Sequence, residues 1–273
     1  MLVAGPVKAI EGSAGVSLSE QELLEKVLEQ GVPEQAFWDL QNFRSKNLHQ
    51  EFTQDTYVCK NKTEADVKPC PEKDRTPSNR RIKIPDHSYA IIIDYSRSSI
   101  EERLFLIHLR TGLVRKFLVT HGKGSGNGGF AYKFSNVKDS QQTSLGIYML
   151  GEVYEGSYGA TMRMYGLEKS NDQAYRRDIV MHGAWYADRS FMTDENPNTK
   201  RPYGRLGVSW GCPAVSPAHQ KELVPLLREG ALIYHYHPEL QVEARWTGEE
   251  VRTRETPFEY ILKPKPRPLQ TEK

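Results

Sequence analysis

Long apolar segments are missing from this 273-residue sequence. No apolar run approaches the roughly 20 residues that a membrane-spanning helix needs, so a helical membrane protein is excluded. The N-terminal stretch MLVAGPVKAIEGSAG also lacks the basic region and the apolar run of about 7–15 residues that a secretory signal peptide requires. We therefore expect either a cytosolic protein or a mature chain from which a signal peptide has been removed.

An excess of charge of one sign is missing too. The 37 lysines and arginines nearly balance the 35 aspartates and glutamates, which leaves a formal net charge of +2. Domains that bind nucleic acid normally carry a basic patch or a strongly basic composition. We therefore expect no nucleic-acid partner and no membrane span, and the 38% of apolar residues is enough for a packed core.

Cysteine is scarce, with three residues in the chain. Cys59 and Cys70 bracket a polar segment, CKNKTEADVKPC, which has no apolar period to bury either thiol. Such a pair is expected to form a disulfide that stabilises the fold by about 3 kcal/mol and indicates the periplasm or the exterior of the cell. The alternative is two unpaired surface thiols in a reducing compartment. Cys212 is left over, which marks it as a candidate reactive thiol.

Familiar phosphate and metal motifs are absent as well. The glycine-rich stretch HGKGSGNGG lacks the GxxxxGK[ST] order of a phosphate loop, so we interpret it as a flexible loop near a cleft. His235 and His237 alternate along an apolar run and face one side together, which suits a pair of metal ligands. No HExxH or CxxC spacing accompanies them. We expect neither a metal nor an organic cofactor, with a zinc peptidase as the alternative.

The N-terminal part of the chain has a helical pattern. Residues 17–50 contain a capping box formed by Ser19 and Glu22, and an apolar stripe then continues to Gly31. Pro33 begins a second amphipathic helix. The residues that follow are polar and contain several prolines, which predicts a long loop closed by the expected disulfide.

A β-type pattern begins near residue 88 and predicts a mainly β, α+β fold with mostly antiparallel strands. One further helix is predicted over 217–229. We divide the chain into a helical extension with a disulfide-stapled loop (1–85), a main domain (86–240) and a basic, proline-rich, extended tail (241–273). The predicted strands lie within Tyr89–Ser96, Arg103–Leu109, Leu113–Gly122, Ser144–Tyr154, Ala160–Leu167, Arg176–Gly183 and Gly230–Pro238.

Cys212 lies on a glycine-containing stretch, GRLGVSWGCPAV. Thiolate catalysis needs a base within hydrogen-bond reach and backbone donors that point at the developing oxyanion. His182 ends an apolar strand, and Gly183 leaves room for its ring. Gly211 lets the backbone approach a substrate closely. A buried structural cysteine is the alternative, and the residues alone do not separate the two.

Two motifs together, IVMHG and SWGCPAV, resemble the L,D-transpeptidase catalytic domain, the YkuD-like family that acts on bacterial peptidoglycan. That family carries a histidine–glycine pair at a strand end and, downstream, a [S/T]HGC motif with the nucleophilic cysteine. The blocks HGKGSG, FSN, SLGIY, GLE, HGA and GRLGVSWGCPAV are most similar to a murein L,D-transpeptidase catalytic-domain-like subgroup. The resemblance covers roughly Tyr89–Pro238 and implies a YkuD-like β-sandwich.

The resemblance also implies a role for each motif residue. Cys212 would be the nucleophile, and His182 would accept and return its proton. Ser209, Gly211 and Gly183 would position the site or serve its oxyanion, with the amides of Gly211 and Cys212 as the expected donors.

The sequence departs from the family pattern at three places. Trp210 replaces a second histidine, and Ala214 replaces an arginine or asparagine that would hold substrate. The segment Asp188–Arg205 is an insertion between the histidine and the cysteine. We therefore predict that substrate contacts involve Trp210 and Ala214, with Arg205 as a candidate replacement for the lost donor.

The activity that the resemblance implies is acyl transfer on peptidoglycan stem peptides. The thiolate would attack the L,D bond of a tetrapeptide stem, and the thioacyl-enzyme would then form a 3–3 crosslink. Hydrolysis of the same acyl-enzyme would make the protein an L,D-carboxypeptidase, and a fold retained without catalysis would make it a cell-wall-binding module. These alternatives stay open, as does the oligomeric state, and each of them implies a periplasmic or secreted protein.

Overall fold

The structure, a computed structural model, describes residues 18–126, 129–240 and 251–252. The predicted basic tail therefore lies outside the described residues, apart from a short strand at Val251–Arg252. Among the helices of the described ranges, none is both long enough and apolar enough to cross a bilayer.

The two N-terminal helices are confirmed. Helix α1 spans Glu20–Glu29 and helix α2 spans Glu34–Asn47. Ser19 caps α1, because its side chain accepts the Glu22 N–H while the Glu22 carboxylate accepts the Ser19 N–H at 2.8 Å. This reciprocal pair is the predicted capping box.

The polar segment that was predicted to be a loop is a β-hairpin, so that prediction was wrong. Strands β1 (Glu51–Cys59) and β2 (Arg75–Lys83) pair antiparallel along their whole length. The hairpin exposes much of its surface, and its strands therefore lack the regular apolar alternation that marks a half-buried strand. The disulfide between Cys59 and Cys70 is present and ties the end of β1 to the connection that leads into β2.

The predicted mainly β fold is confirmed by a mixed sheet of eight strands. Its spatial order is β10-β9-β8-β7-β11-β3-β4-β5, and within it the β10–β9 and β11–β3 pairs are parallel and the other pairs antiparallel. The strands are β3 (Tyr89–Asp94), β4 (Leu104–His108), β5 (Val114–Phe117), β7 (Gly146–Gly156), β8 (Gly159–Gly166), β9 (Val180–Gly183), β10 (Ala214–Val215) and β11 (Leu232–Tyr236), while β6 (Lys133–Phe134) pairs with β12 (Val251–Arg252).

Both faces of the sheet are covered by apolar side chains. Because side chains alternate along a strand, Ile91 and Ile93 join one buried cluster and Ile92 joins the other. Helix α3 (Pro217–Leu227) packs on the first face through Leu223. Helices α1 and α2 and the hairpin pack on the second face, so the N-terminal segment and the sheet share one core.

Helix α3 fixes the position of strand β9. The Gln220 side-chain amide donates to Met181 O at 3.1 Å. A Cβ on Gly183 would lie 3.1 Å from both Pro217 Cα and Gln220 Cβ. The helix therefore packs directly on the glycine that follows His182, and a larger residue there would push the helix away.

Candidate active site

Strand pairing brings the candidate histidine and cysteine together. In the parallel pair of β9 and β10, Ala214 lies opposite His182. The His182 N–H also donates to Pro213 O at 3.5 Å, and Pro213 directly follows Cys212. The two residues of the predicted pair therefore meet at one edge of the sheet, although they are far apart in the sequence.

The turn that carries Cys212 is closed by hydrogen bonds of its own. Ser209 Oγ donates to Cys212 O at 2.6 Å and accepts the Gly211 N–H at 3.1 Å. Gly211 has a φ of +119°, and a Cβ there would lie 2.6 Å from Gln142 O, so the position requires glycine. The Gly211 N–H, predicted to be an oxyanion donor, is already bonded within the turn.

The glycine-rich stretch packs beside this turn. The Ser209 N–H donates to His121 O at 3.0 Å, and the Lys123 N–H donates to Ser209 O at 2.8 Å. A Cβ on Gly122 would lie 2.9 Å from Gly211 Cα. The first residues of the predicted loop therefore lie next to the cysteine turn, and hydrogen bonds hold them against it.

The thiol of Cys212 is half-buried and protonated at neutral pH. Its Sγ donates to Asp178 O at 3.7 Å. Burial raises the pKa of the Cys212 thiol above its ordinary value of 9.0, while the Val180 N–H and the Arg177 guanidinium act in the opposite direction. The thiol therefore needs a base before it can attack a substrate.

His182 has the tautomer of a general base. Its Nδ1 lies 2.8 Å from Gly183 O, and because a carbonyl oxygen only accepts, Nδ1 carries the proton and Nε2 keeps its lone pair. Burial lowers the pKa of His182 below its ordinary value of 6.5, so the ring is neutral at neutral pH. The end of β9 therefore presents a neutral imidazole with a basic Nε2, and β9 pairs with the strand that follows Cys212.

A cluster around Asp178 links the hairpin to the thiol, and the sequence prediction missed it. The Asp178 carboxylate accepts hydrogen bonds from Tyr57 Oη, from Arg75 Nη2 at 2.5 Å and from Arg163 Nη1 at 3.1 Å. Tyr57 and Arg75 belong to β1 and β2, and the carbonyl of Asp178 is the acceptor of the Cys212 thiol. The sequence did contain one signal, because Arg163 interrupts the apolar run ATMRMYGL. The structure buries this arginine fully.

Arg177 is a second cation near the thiol that the sequence prediction missed. Its guanidinium donates to Gln142 O at 2.6 Å, Ser135 O at 2.9 Å, Ser144 Oγ at 3.1 Å and Ser140 Oγ at 3.4 Å. All four acceptors are neutral, so none of these bonds is an ion pair. The arginine therefore braces the segment behind the cysteine turn and also favours the thiolate.

The three predicted substrate contacts have different surroundings. Trp210 is 71% exposed, and Lys123 Nζ lies 5.5 Å from the centroid of its ring. Arg205 is partly exposed, and its guanidinium donates to Leu206 O at 2.7 Å. Ala214 is fully buried, so its side chain offers no surface to a substrate, contrary to the prediction.

The two histidines considered as metal ligands are core residues. His235 is buried, and its Nδ1 donates to Ser144 O at 2.9 Å. His237 is also buried and packs against the ring of Phe134. Across the part of the chain that the structure describes, no three His, Cys, Asp or Glu residues are grouped so that they could hold a metal ion.

A comparison with protein families matches residues 72–236 to the family described as L,D-transpeptidase catalytic domain. The matched span covers more than half of the chain and includes both His182 and Cys212. No match was found among curated proteins.

Proposed function

The chain belongs to the L,D-transpeptidase catalytic domain family, and from that premise we propose that it is a peptidoglycan L,D-transpeptidase with Cys212 as its nucleophile. The observation that carries the proposal is the pairing of β9 with β10, which places a neutral His182 with a free Nε2 beside the cysteine turn. The family indicates the substrate class, and the geometry supports the assignment of the two residues.

The proposed reaction begins with proton transfer. His182 Nε2 accepts the thiol proton as Cys212 Sγ attacks the carbonyl carbon of the L,D bond before the terminal D-alanine of a tetrapeptide stem. The Cys212 N–H serves as an oxyanion donor, while Ser209 and Gly211 hold the turn. The C–N bond then breaks, the Nε2 proton passes to the departing amine of D-alanine, and a thioester remains on Cys212.

The second half of the proposed reaction transfers the acyl group to an amine. A diaminopimelate side-chain amine attacks the thioester, His182 takes its proton, and Sγ leaves as the 3–3 crosslink forms. We assign the acceptor site to the side of the insertion Asp188–Arg205, because Phe191 within it contacts Trp185, three residues after His182, at 5.4 Å. Attack by water instead of an amine would give the L,D-carboxypeptidase activity.

Substitution of the two residues tests the proposal. We expect Cys212→Ala to abolish turnover of tetrapeptide muropeptides and His182→Gln to reduce kcat by about 10²–10⁴-fold, the range that a general base contributes. Mass spectrometry of the products measures both. Intact mass after treatment with a carbapenem should show an adduct on the wild type that maps to Cys212 and is absent from Cys212→Ala.

The products decide between the two activities. Crosslinked 3–3 dimers from the wild type support the transpeptidase, and tripeptides without dimers would mean a carboxypeptidase. Full turnover by Cys212→Ala would contradict both the transpeptidase and the carboxypeptidase. The measured activity would then come from a contaminant, and the protein would be a cell-wall-binding module. Loss of turnover on chelation, with no sensitivity to alkylation, would favour a zinc peptidase.

We also propose that the protein works in the periplasm or outside the cell. The disulfide between Cys59 and Cys70 supports an oxidising compartment. Thiol labelling of the protein from intact cells should find one free cysteine, Cys212, before reduction and three after it.

A further inference from the structure

A continuous row of aromatic rings leads outward from His182. Tyr158 stacks on the imidazole with a centroid distance of 6.2 Å and an interplanar angle of 20°. The following rings contact one another at centroid distances of 6.5, 5.8, 5.4 and 4.2 Å. We call this row the aromatic ladder, which consists, in order from His182, of Tyr158, Tyr186, Trp185, Phe191 and Tyr203.

Two rings of the aromatic ladder present open surface. Trp185 is 57% exposed and Tyr158 is 46% exposed, whereas Phe191 is 6% exposed. The inner rings are anchored, because Gly207 N–H donates to Tyr186 O at 2.8 Å and Phe191 packs on its neighbours. Single exposed aromatics need no explanation, but a contiguous row that begins on the candidate catalytic histidine indicates a binding surface.

We infer that the exposed rings of Tyr158 and Trp185 bind the glycan strand that carries the stem peptide, an inference that rests on the proposed function. One face of an N-acetylhexosamine ring consists of C–H groups, which pack against an aromatic ring while the hydroxyl groups stay hydrated. The stem peptide contains alanine, glutamate and a diamino acid, and none of these has a large apolar side chain for such rings. The glycan is therefore the part of the substrate that matches the surface.

The dimensions agree with this assignment. Three stem residues separate the scissile bond from the lactyl group of the sugar, and three extended residues span about 10 Å. Trp185 follows His182 by three residues, so their backbones lie at most about 11 Å apart. A stem whose scissile bond lies at Cys212 can therefore place its sugar within reach of Trp185.

The experiment compares two substrates that share one stem, the free tetrapeptide and the disaccharide-tetrapeptide. For Trp185→Ala, we expect the ratio of kcat/KM on the disaccharide-tetrapeptide to kcat/KM on the free peptide to fall about tenfold, mainly through KM. Trp185→Phe, which retains an aromatic ring on Phe191, should keep most of the ratio. Trp38→Ala is the matched control, because Trp38 is an exposed tryptophan on α2, and it should leave both rates unchanged.

A binding measurement keeps this inference separate from the proposed function. Calorimetry with Cys212→Ala and glycan chains stripped of their stems should show binding that Trp185→Ala removes. That result would support glycan binding whether or not the wild type is active. If the wild type also turned over neither substrate, the proposed function would fail and the glycan-binding inference would stand. Equal losses on both substrates, or no binding to stripped glycan, would overturn the inference. Self-association abolished by Trp185→Ala, without glycan binding, would assign the rings to a protein contact and would overturn it as well.

Discussion

Gly183 acts on His182 through its carbonyl group and on helix α3 through its lack of a side chain. Its carbonyl accepts His182 Nδ1–H at 2.8 Å and so selects the tautomer whose Nε2 is basic. Its missing side chain lets α3 pack within 3.1 Å of where a Cβ would be. The sequence predicted the histidine–glycine pair but attributed the glycine to room for the imidazole ring. The neighbour that needs the space is a helix that begins 34 residues later in the chain.

The protonation states of the two residues predict the pH profile. The proposed mechanism needs a neutral His182, and because the pKa of His182 is lowered, kcat/KM should fall only as the pH drops below 6.5. The pKa of Cys212 is raised, so loss of the proton that must reach the leaving amine should occur only above pH 9.0. The profile of kcat/KM against pH should therefore be a bell with a broad top.

A thiolate–imidazolium pair would give a different profile. Its acid limb would report the thiol and would lie well below the ordinary thiol pKa, and alkylation by iodoacetamide would be fast at neutral pH. An alkaline limb below pH 9.0, or rapid alkylation at neutral pH, would contradict the neutral pair described here.

Two arginines near the thiol show which residues escape a motif search. Arg163 donates to the carboxylate of Asp178, whose carbonyl accepts the Cys212 thiol, and Arg177, the residue before Asp178, donates to Gln142 O. Neither arginine belongs to the HGA or GRLGVSWGCPAV blocks. A charged side chain inside an apolar strand needs a partner, which is a detectable signal. The identity of the partner, Asp178 for Arg163, depends on how the strands pair.

At the scale of elements, the β1–β2 hairpin connects the disulfide with the active site. Cys59 lies opposite Arg75 in the strand register, and the Arg75 guanidinium binds the Asp178 carboxylate. Tyr57, two residues before Cys59, binds the same carboxylate. The disulfide therefore constrains the end of the hairpin whose side chains bind Asp178, and the carbonyl of Asp178 accepts the Cys212 thiol.

Removal of the disulfide tests that connection. We expect Cys59→Ala with Cys70→Ala to lower the free energy of unfolding by about 3 kcal/mol, because the bond closes a short loop in the unfolded chain. The kcat/KM should also fall, since Asp178 loses constraint. Urea denaturation and turnover of the tetrapeptide measure the two effects.

The matched control for the disulfide lies at the other end of the same hairpin. Arg81 forms an exposed ion pair with Glu51 at 3.8 Å. Arg81→Ala should change the free energy of unfolding by less than about 1 kcal/mol, as surface ion pairs do, and should leave kcat/KM unchanged. A comparable loss of unfolding free energy in both variants would show that any change in the hairpin destabilises the protein, and that the disulfide has no specific effect.

At the scale of the whole molecule, the N-terminal helices complete the core instead of forming an appendage. Phe37 of α2 is 2% exposed and joins the same apolar cluster as Ile92 and Phe105 of the sheet. The segment before the strands therefore covers one face of the sheet that carries His182. Its removal would expose that face to water.

Adjacent residues of α2 provide a sharp test of the shared core. Phe37→Ala should lower the free energy of unfolding by about 3–5 kcal/mol, the usual cost of truncating a buried phenylalanine. Trp38→Ala, at an exposed neighbouring position, should change it by less than about 1 kcal/mol. Circular dichroism should show one cooperative transition for both variants. A separate early transition in Phe37→Ala would mean that the helices unfold independently of the sheet.

The sequence by itself determined the local features of this protein. Ser19 and Glu22 were sufficient to predict the start of α1, because a capping box is satisfied within one turn. Apolar runs were sufficient to predict seven of the eight strands of the main sheet but not the two-residue strand β10, and the motif blocks indicated the family. The paired strands β1 and β2 were missed because their polar sequence carries no such period.

The tertiary structure alone decided which groups surround the cysteine. Parallel pairing sets Ala214 opposite His182, and an antiparallel hairpin brings Arg75 to Asp178. These contacts join residues that are distant in the chain, and their geometry depends on strand order and register, which no local pattern encodes. The sequence therefore predicted the candidate catalytic residues, and long-range packing determined their protonation, their supports and the aromatic surface beside them.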